Sequence, residues 1–318
     1  MSYDYKLENF PISFFSVVMG LLGLTLGFQK LEELYPEIFF SNILLIFSVP
    51  IFVLFLLVYL VKILFKFSKV EEEFFHPIKA NFFPTISISF ILFSIVLLDI
   101  DESISFVLWF FGSIFHFILT LVIISFWIQN TKFELSHINP SWFIPAVGNI
   151  LIPIAGVELF YKEVSWFFFS IGIIFWIILL TMFFYRIVFH HPMPDKLLPT
   201  LFILIAPPTI GFISFTKLTG HELGDISRIL YYFGLFLFIL LLFQIKLFAK
   251  INFYLSWWAY SFPLAALTVA TYYFYELTSY LIIEVLFITL LSILSLLILI
   301  LVILTIKSAY MGNICVEE

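Results

Sequence analysis

The run Leu255-Ser-Trp-Trp-Ala-Tyr-Ser-Phe-Pro-Leu-Ala-Ala-Leu267 lies inside an apolar segment, Phe253 to Phe274, that holds no charged residue. A segment of that length crosses the roughly 30 Å hydrocarbon core of a bilayer as a helix. Phe262 and Pro263 then fall near half depth. A proline there removes a backbone hydrogen bond and interrupts the helix, which is tolerated in a membrane only where protein or a water-filled cavity takes up the freed carbonyl. An interrupted helix, small residues and one bulky ring at half depth form the pattern of a pore.

The rest of the chain repeats that pattern. Of its 318 residues 63% are hydrophobic and 11% charged, and the mean hydropathy is +1.15. Those values describe an integral membrane protein. Ten charge-free apolar segments are expected as spans, at residues 11–29, 39–61, 80–98, 103–128, 141–157, 164–185, 197–216, 229–245, 253–275 and 285–306. Each is apolar all round, so length and absence of charge identify it, and periodicity adds nothing. No polar stretch is long enough to build a separate soluble domain, so residues 1–318 are expected to form one transmembrane domain.

Prolines mark the odd segments. Pro11, Pro84, Pro145, Pro208 and Pro263 are each followed by small or hydroxyl-bearing residues and are spaced by 73, 61, 63 and 55 residues, about one helical hairpin apiece. Among the even segments only the second carries a proline, Pro50. An all-α fold follows, with five hairpins around an axis, interrupted odd helices inside and continuous even helices facing lipid. Pro84, Pro145, Pro208 and Pro263 are expected to kink the inner helices at similar depth, with Pro11 the weakest member because it opens its segment.

Basic residues give an orientation. Lys6, Lys62, Lys66, Lys69, Lys79, Lys132, Arg186, Lys196, Lys246, Lys250 and Lys307 flank one side, against Lys30, Lys162, Lys217 and Arg228 on the other. The bias places both termini in the cytoplasm of a multi-pass protein of the cell membrane, and an even number of spans agrees.

Five ordered stretches carry a family resemblance: Phe10-Pro-Ile-Ser-Phe-Phe-Ser-Val-Val-Met-Gly20, His76-Pro-Ile-Lys-Ala-Asn-Phe-Phe-Pro84, Ile138-Asn-Pro-Ser-Trp-Phe-Ile-Pro-Ala-Val-Gly-Asn149, Leu198-Pro-Thr-Leu-Phe-Ile-Leu-Ile-Ala-Pro-Pro208 and Ser256-Trp-Trp-Ala-Tyr-Ser-Phe-Pro263. From Asn9 to about Ile306 the chain resembles the tellurite-resistance and dicarboxylate-transporter family, which includes the slow-type anion channels of plant guard cells. The resemblance implies ten transmembrane helices with quasi-fivefold hairpin symmetry, a pore through each protomer and a homotrimer. The family's pore-occluding phenylalanine falls on Phe262.

Candidate pore-lining groups are Ser13, Ser16, Ser87, Asn149, Thr209 and Ser261 on the odd segments, because hydroxyl and amide donors solvate an anion without trapping it. Phe83 and Ile144 precede the prolines of their own segments, as Phe262 does, and are candidates to complete a plug. Gly20, Gly23 and Gly27 read as a row for close helix approach. His116, deep in an even segment, reads as a histidine bonded to a neighbouring helix in preference to a proton relay. The histidines are scattered, no nucleophile–base or metal pattern is present, and no cofactor is expected; the chain does not read as an enzyme. Net charge of −6 argues against a nucleic-acid partner.

The expected partners are the lipid bilayer and small inorganic or organic anions. A gated passive channel for nitrate or chloride is the first reading. The alternative is a proton-coupled carrier of a C4-dicarboxylate such as malate, or a transporter of tellurite-type oxyanions. A carrier of dianions requires an intramembrane Arg or Lys for substrate and a carboxylate or histidine for the proton. The odd segments, bounded as above, contain neither.

Overall fold

The computed structural model describes residues 3–130 and 133–316. Among them every regular element is helical. In chain order the long helices are α1 (Ile12–Leu34), α2 (Ser41–Phe65), α3 (Lys79–Leu97), α4 (Glu102–Gln129), α5 (Pro140–Leu159), α6 (Lys162–Phe189), α7 (Asp195–Leu218), α8 (Asp225–Phe243), α9 (Ser261–Thr278) and α10 (Leu281–Tyr310). Nine of them, among the described residues, are long and apolar enough to cross a membrane, and α9 is the exception. Tyr272, Tyr273, Tyr275 and Glu276 dilute its apolar character. Yet α9 is thoroughly enclosed: from Ser261 to Phe274 every residue except Phe262 is buried. A helix screened from lipid by protein has no need to be uniformly apolar.

Burial alternates along the chain. The spanning windows of α1, α3, α5 and α7 are 67–89% buried, and those of α2, α4, α6, α8 and α10 only 17–39%. The odd helices touch in a closed cycle, α1 on α3, α3 on α5, α5 on α7, α7 on α9 and α9 back on α1, and each even helix packs on the odd helix before it. Exposed apolar side chains such as Phe47, Phe111, Phe167, Phe236 and Leu296 lie on the even helices. So much apolar surface belongs in lipid and not in water.

The interruptions take a form the sequence did not specify. α1 opens with the 3₁₀ turn Ile12–Phe14, α3 with Lys79–Phe82, α5 with Pro140–Trp142 and α7 with Asp195–Ile205, while Leu255–Tyr260 precedes α9. Each then becomes α-helical. Pro84 is the residue just before its α-helical part, and Pro145, Pro208 and Pro263 are each the third residue of theirs. In the first turn an N–H has no intrahelical partner, so proline fits there without loss. The prolines therefore fall at 3₁₀-to-α junctions and not in the middle of continuous α-helices. In α5 the α-helix breaks again, into the 3₁₀ stretch Gly148–Leu151.

Such junctions free carbonyls, and side chains of neighbouring helices collect them. Thr120 of α4 donates to Pro145 O at 2.7 Å, Trp109 of α4 to Ile152 O at 2.9 Å and Ser214 of α7 to Ile150 O at 2.6 Å. Asn149 donates to Ala146 O at 2.9 Å. Two neighbouring helices and a side chain of α5 itself thus support the break in α5, the condition under which irregular backbone persists at membrane depth.

At the face carrying the termini, Glu73 of the helix Phe67–Phe74 reaches into the bundle. It accepts from Lys62 at 2.7 Å, Tyr59 at 3.0 Å and the Ile12 N–H at 2.8 Å, and Lys62 also donates to Phe10 O at 2.8 Å. Nearby, Glu8 pairs with Lys66 at 2.5 Å, and that hydrogen bond holds the Glu8 carboxyl below its ordinary pKa. Lys132, counted above for orientation, lies outside the described residues.

Candidate functional site

Two cavities lie inside the ring of odd helices. The one nearer the termini, about 70 Å³, is lined by Ser16 and Met19 of α1, Phe82, Thr85 and Ile88 of α3, Ile144, Val147 and Gly148 of α5, Ala206 and Pro207 of α7, and Trp258, Phe262 and Pro263 around the start of α9. Its wall is apolar apart from two hydroxyls. Thr85 commits its hydroxyl to Phe82 O at 2.5 Å, which leaves Ser16 facing the space. Trp258 shows its ring to the cavity and sends its N–H outward to Thr305 of α10 at 2.9 Å. The second cavity, about 40 Å³, lies toward the opposite face and again draws on all five odd helices, including Gly23, Leu26 and Lys30 of α1, Ile95 of α3 and Tyr273 of α9.

The two cavities share Leu151, Ile210 and Phe262. Phe262 is the only aromatic residue common to both. Its exposure amid otherwise buried neighbours is exposure to these spaces. A Cβ built on Gly23 would stand 3.7 Å from the Phe262 ring, so the glycine gives the ring a smooth surface to lie on.

The other candidates are placed as follows. Ser16, Ile144 and Pro263 line the first cavity; Pro84, Pro145 and Pro208 do not, although Pro207 does. Phe83 turns away, edge-on to Tyr59 and Phe74 with ring centroids 6.2 and 4.9 Å apart, and its neighbour Phe82 takes the wall position. Ser87 bonds to Pro84 O and to His116 Nδ1, at 2.8 and 2.9 Å. Asn149 faces Thr120 at 3.0 Å. Thr209 donates to Ile205 O, and Ser261 to Trp258 O beneath Gly20. Ser13 is half-buried and lines neither cavity. The expected hydroxyl wall thus reduces to Ser16, because hydroxyls in helices return to their own carbonyls three or four residues back. Gly20 and Gly23 do serve close approach: added Cβ atoms would meet Ser261 Oγ at 2.3 Å and Ala265 Cβ at 2.6 Å.

The first charge-free segment stops at residue 29, yet α1 runs to Leu34 and Lys30 lines the second cavity. The row Gly23, Leu26, Lys30, with spacings of three and four, already puts the lysine on the inward face. Among the described residues no group of three or more metal-ligating side chains occurs.

Residues 9–306 match the family of voltage-dependent anion channels. The chain belongs to that family. An uncharacterized transporter of Methanocaldococcus jannaschii is 26% identical over 97% of both chains. An S-type anion channel of Arabidopsis thaliana is 31% identical over 83% of this chain and 52% of its own length. A tellurite resistance protein homolog of Haemophilus influenzae is 28% identical over 84% of this chain and 81% of its own. The chain thus spans about half the length of that plant relative. The family consists of channels and transporters and not of enzymes. The motif stretches named from the sequence all fall within the matched region.

Proposed function

We propose that the chain is a passive, gated channel for small monovalent anions, with its pore along the axis of the odd helices and Phe262 as the plug. The observation that carries this reading is the position of Phe262 between two cavities that otherwise share only Leu151 and Ile210. A benzyl group there fills the lumen and, with two aliphatic neighbours, makes a dry constriction that an ion must shed water to cross. The wall of the first cavity has no charge, so an anion entering it finds nothing to hold it fast.

The carrier reading gains Lys30 as an intramembrane cation but lacks its second requirement. Neither cavity is lined by a carboxylate or a histidine, and His116 faces Ser87. The channel therefore stays ahead of coupled dicarboxylate transport. In this reading the basic-residue bias puts the face with the termini in the cytoplasm of the cell membrane, and the trimer implied by the resemblance carries one pore per protomer.

Planar-bilayer recording tests the gate. Phe262→Ala is expected to raise anion conductance about ten-fold or more, and Phe262→Leu less, because a smaller apolar plug remains. If Phe262→Ala purifies as a normal oligomer and conducts no better than the parent, the ring is ordinary packing. Truncation would then only lower stability by about 3–5 kcal/mol.

A further inference from the structure

Among the described residues Lys30 is the only charged side chain lining either cavity. Its side chain is 14% exposed while its ion-pair partner Glu33, at 2.5 Å, is 43% exposed. The carboxylate thus faces outward and the ammonium inward. Tyr272 fixes that arrangement by donating its hydroxyl to the other Glu33 oxygen at 2.6 Å. The ammonium also rests 5.6 and 5.4 Å from the ring centroids of Tyr272 and Tyr273. Rings so placed hold a cation by their quadrupole without neutralising it. Glu33 takes one of its three N–H groups, and no other hydrogen bond joins the ammonium to the described residues.

We propose that this ammonium is a binding site for a single small anion, a halide or nitrate, in the outer cavity on the side of Phe262 away from the termini. The proposal rests on the channel reading for its purpose but not for its test. Anions would concentrate at Lys30 before meeting the plug. Because Glu33 lies at 2.5 Å and toward the solvent, it weakens the site and keeps it from becoming a trap, as conduction demands.

Substitutions in a Phe262→Ala background separate electrostatics from packing. With Lys30→Gln, conductance at low salt is expected to fall about five-fold and to converge with the parent near 1 M salt, where screening removes the effect of a charge. Glu33→Gln breaks the same pair but unmasks the cation, so low-salt conductance should hold or rise. Both variants falling together would mean that the pair only braces the helix ends, and neither changing would mean that no anion visits the site; each result overturns the proposal. Bromide read by anomalous scattering in crystals of the parent chain is independent of conduction. A peak within hydrogen-bonding reach of Lys30 Nζ that vanishes in Lys30→Gln is expected, and its absence at Lys30 in the parent overturns the site. A silent Phe262→Ala protein that still shows the bromide peak would instead sink the channel reading and leave the site standing.

Discussion

At Glu73 one carboxylate gathers three donors from two other helices, and no sequence rule pairs them. Lys62 reads from the sequence as one of several flanking cations, indistinguishable from Lys66 or Lys69. The structure separates them: the Lys62 and Glu73 side chains are 3% and 7% exposed, whereas Lys69 and its partner Glu72 are 42% and 66% exposed. An exposed pair of that kind contributes about 0–1 kcal/mol. Removing one member of a buried pair strands the other charge and costs about 3–5 kcal/mol. Lys62→Met is therefore expected to lower the thermal midpoint of the detergent-solubilised protein sharply, and Lys69→Met hardly at all. Adding Glu73→Gln to Lys62→Met should restore part of the loss, since no uncompensated charge is then buried, the one amide oxygen still accepts from the Ile12 N–H and the amide NH2 can donate to the Tyr59 hydroxyl oxygen. Equal midpoints for the two single variants would show that burial is not what distinguishes the pairs.

At the scale of helices, the glycine row of α1 decides how closely the ring closes. The Cβ of Gly23→Ala would stand 2.6 Å from Ala265 Cβ, with no flexible side chain to yield. Overpacking of that kind costs about 1–3 kcal/mol. Gly224→Ala is the control, because nothing lies within 4 Å of an added Cβ there. Unfolding monitored in mixed micelles should show Gly23→Ala destabilised and Gly224→Ala near neutral; equal effects would remove the close-packing argument. This helical order was largely legible. Charge-free length locates the spans and prolines locate the interruptions, but a charge does not mark where a helix ends. α1 continues through Lys30 to Leu34, and α9 passes Glu276 to Thr278, because Lys30 is paired with Glu33 within the bundle and the exposed Glu276 reaches water without ending its helix. The 3₁₀ junctions and the facing of each hydroxyl were not legible. In a helix apolar all round, no periodic contrast tells which side is inward, so Phe83 could not be told from Phe82. Phe262 could be placed by depth and family resemblance alone.

Across the whole molecule the charge pattern predicts what passes. The two cavities inside the ring of odd helices are lined by one lysine, next to a carboxylate, and beyond it come an apolar constriction and a cavity whose single free hydroxyl is that of Ser16. Such a path offers almost nothing to replace a hydration shell, so an ion crosses according to how weakly it holds its water. Desolvation rises with the square of the charge, which penalises dianions far more than monoanions. A dianion such as malate or sulfate would also need a second cation close to Lys30, and no other charged side chain lines either cavity. In the Phe262→Ala protein, bi-ionic reversal potentials are expected to rank iodide and nitrate above chloride, with malate and sulfate poorly permeant. Since Lys30 lies outside the constriction, Lys30→Gln should lower throughput while leaving that rank order intact. A malate permeability above that of nitrate would mean that the lumen binds dianions through contacts other than those in this wall, and would move the chain from the channels of its family to the carriers.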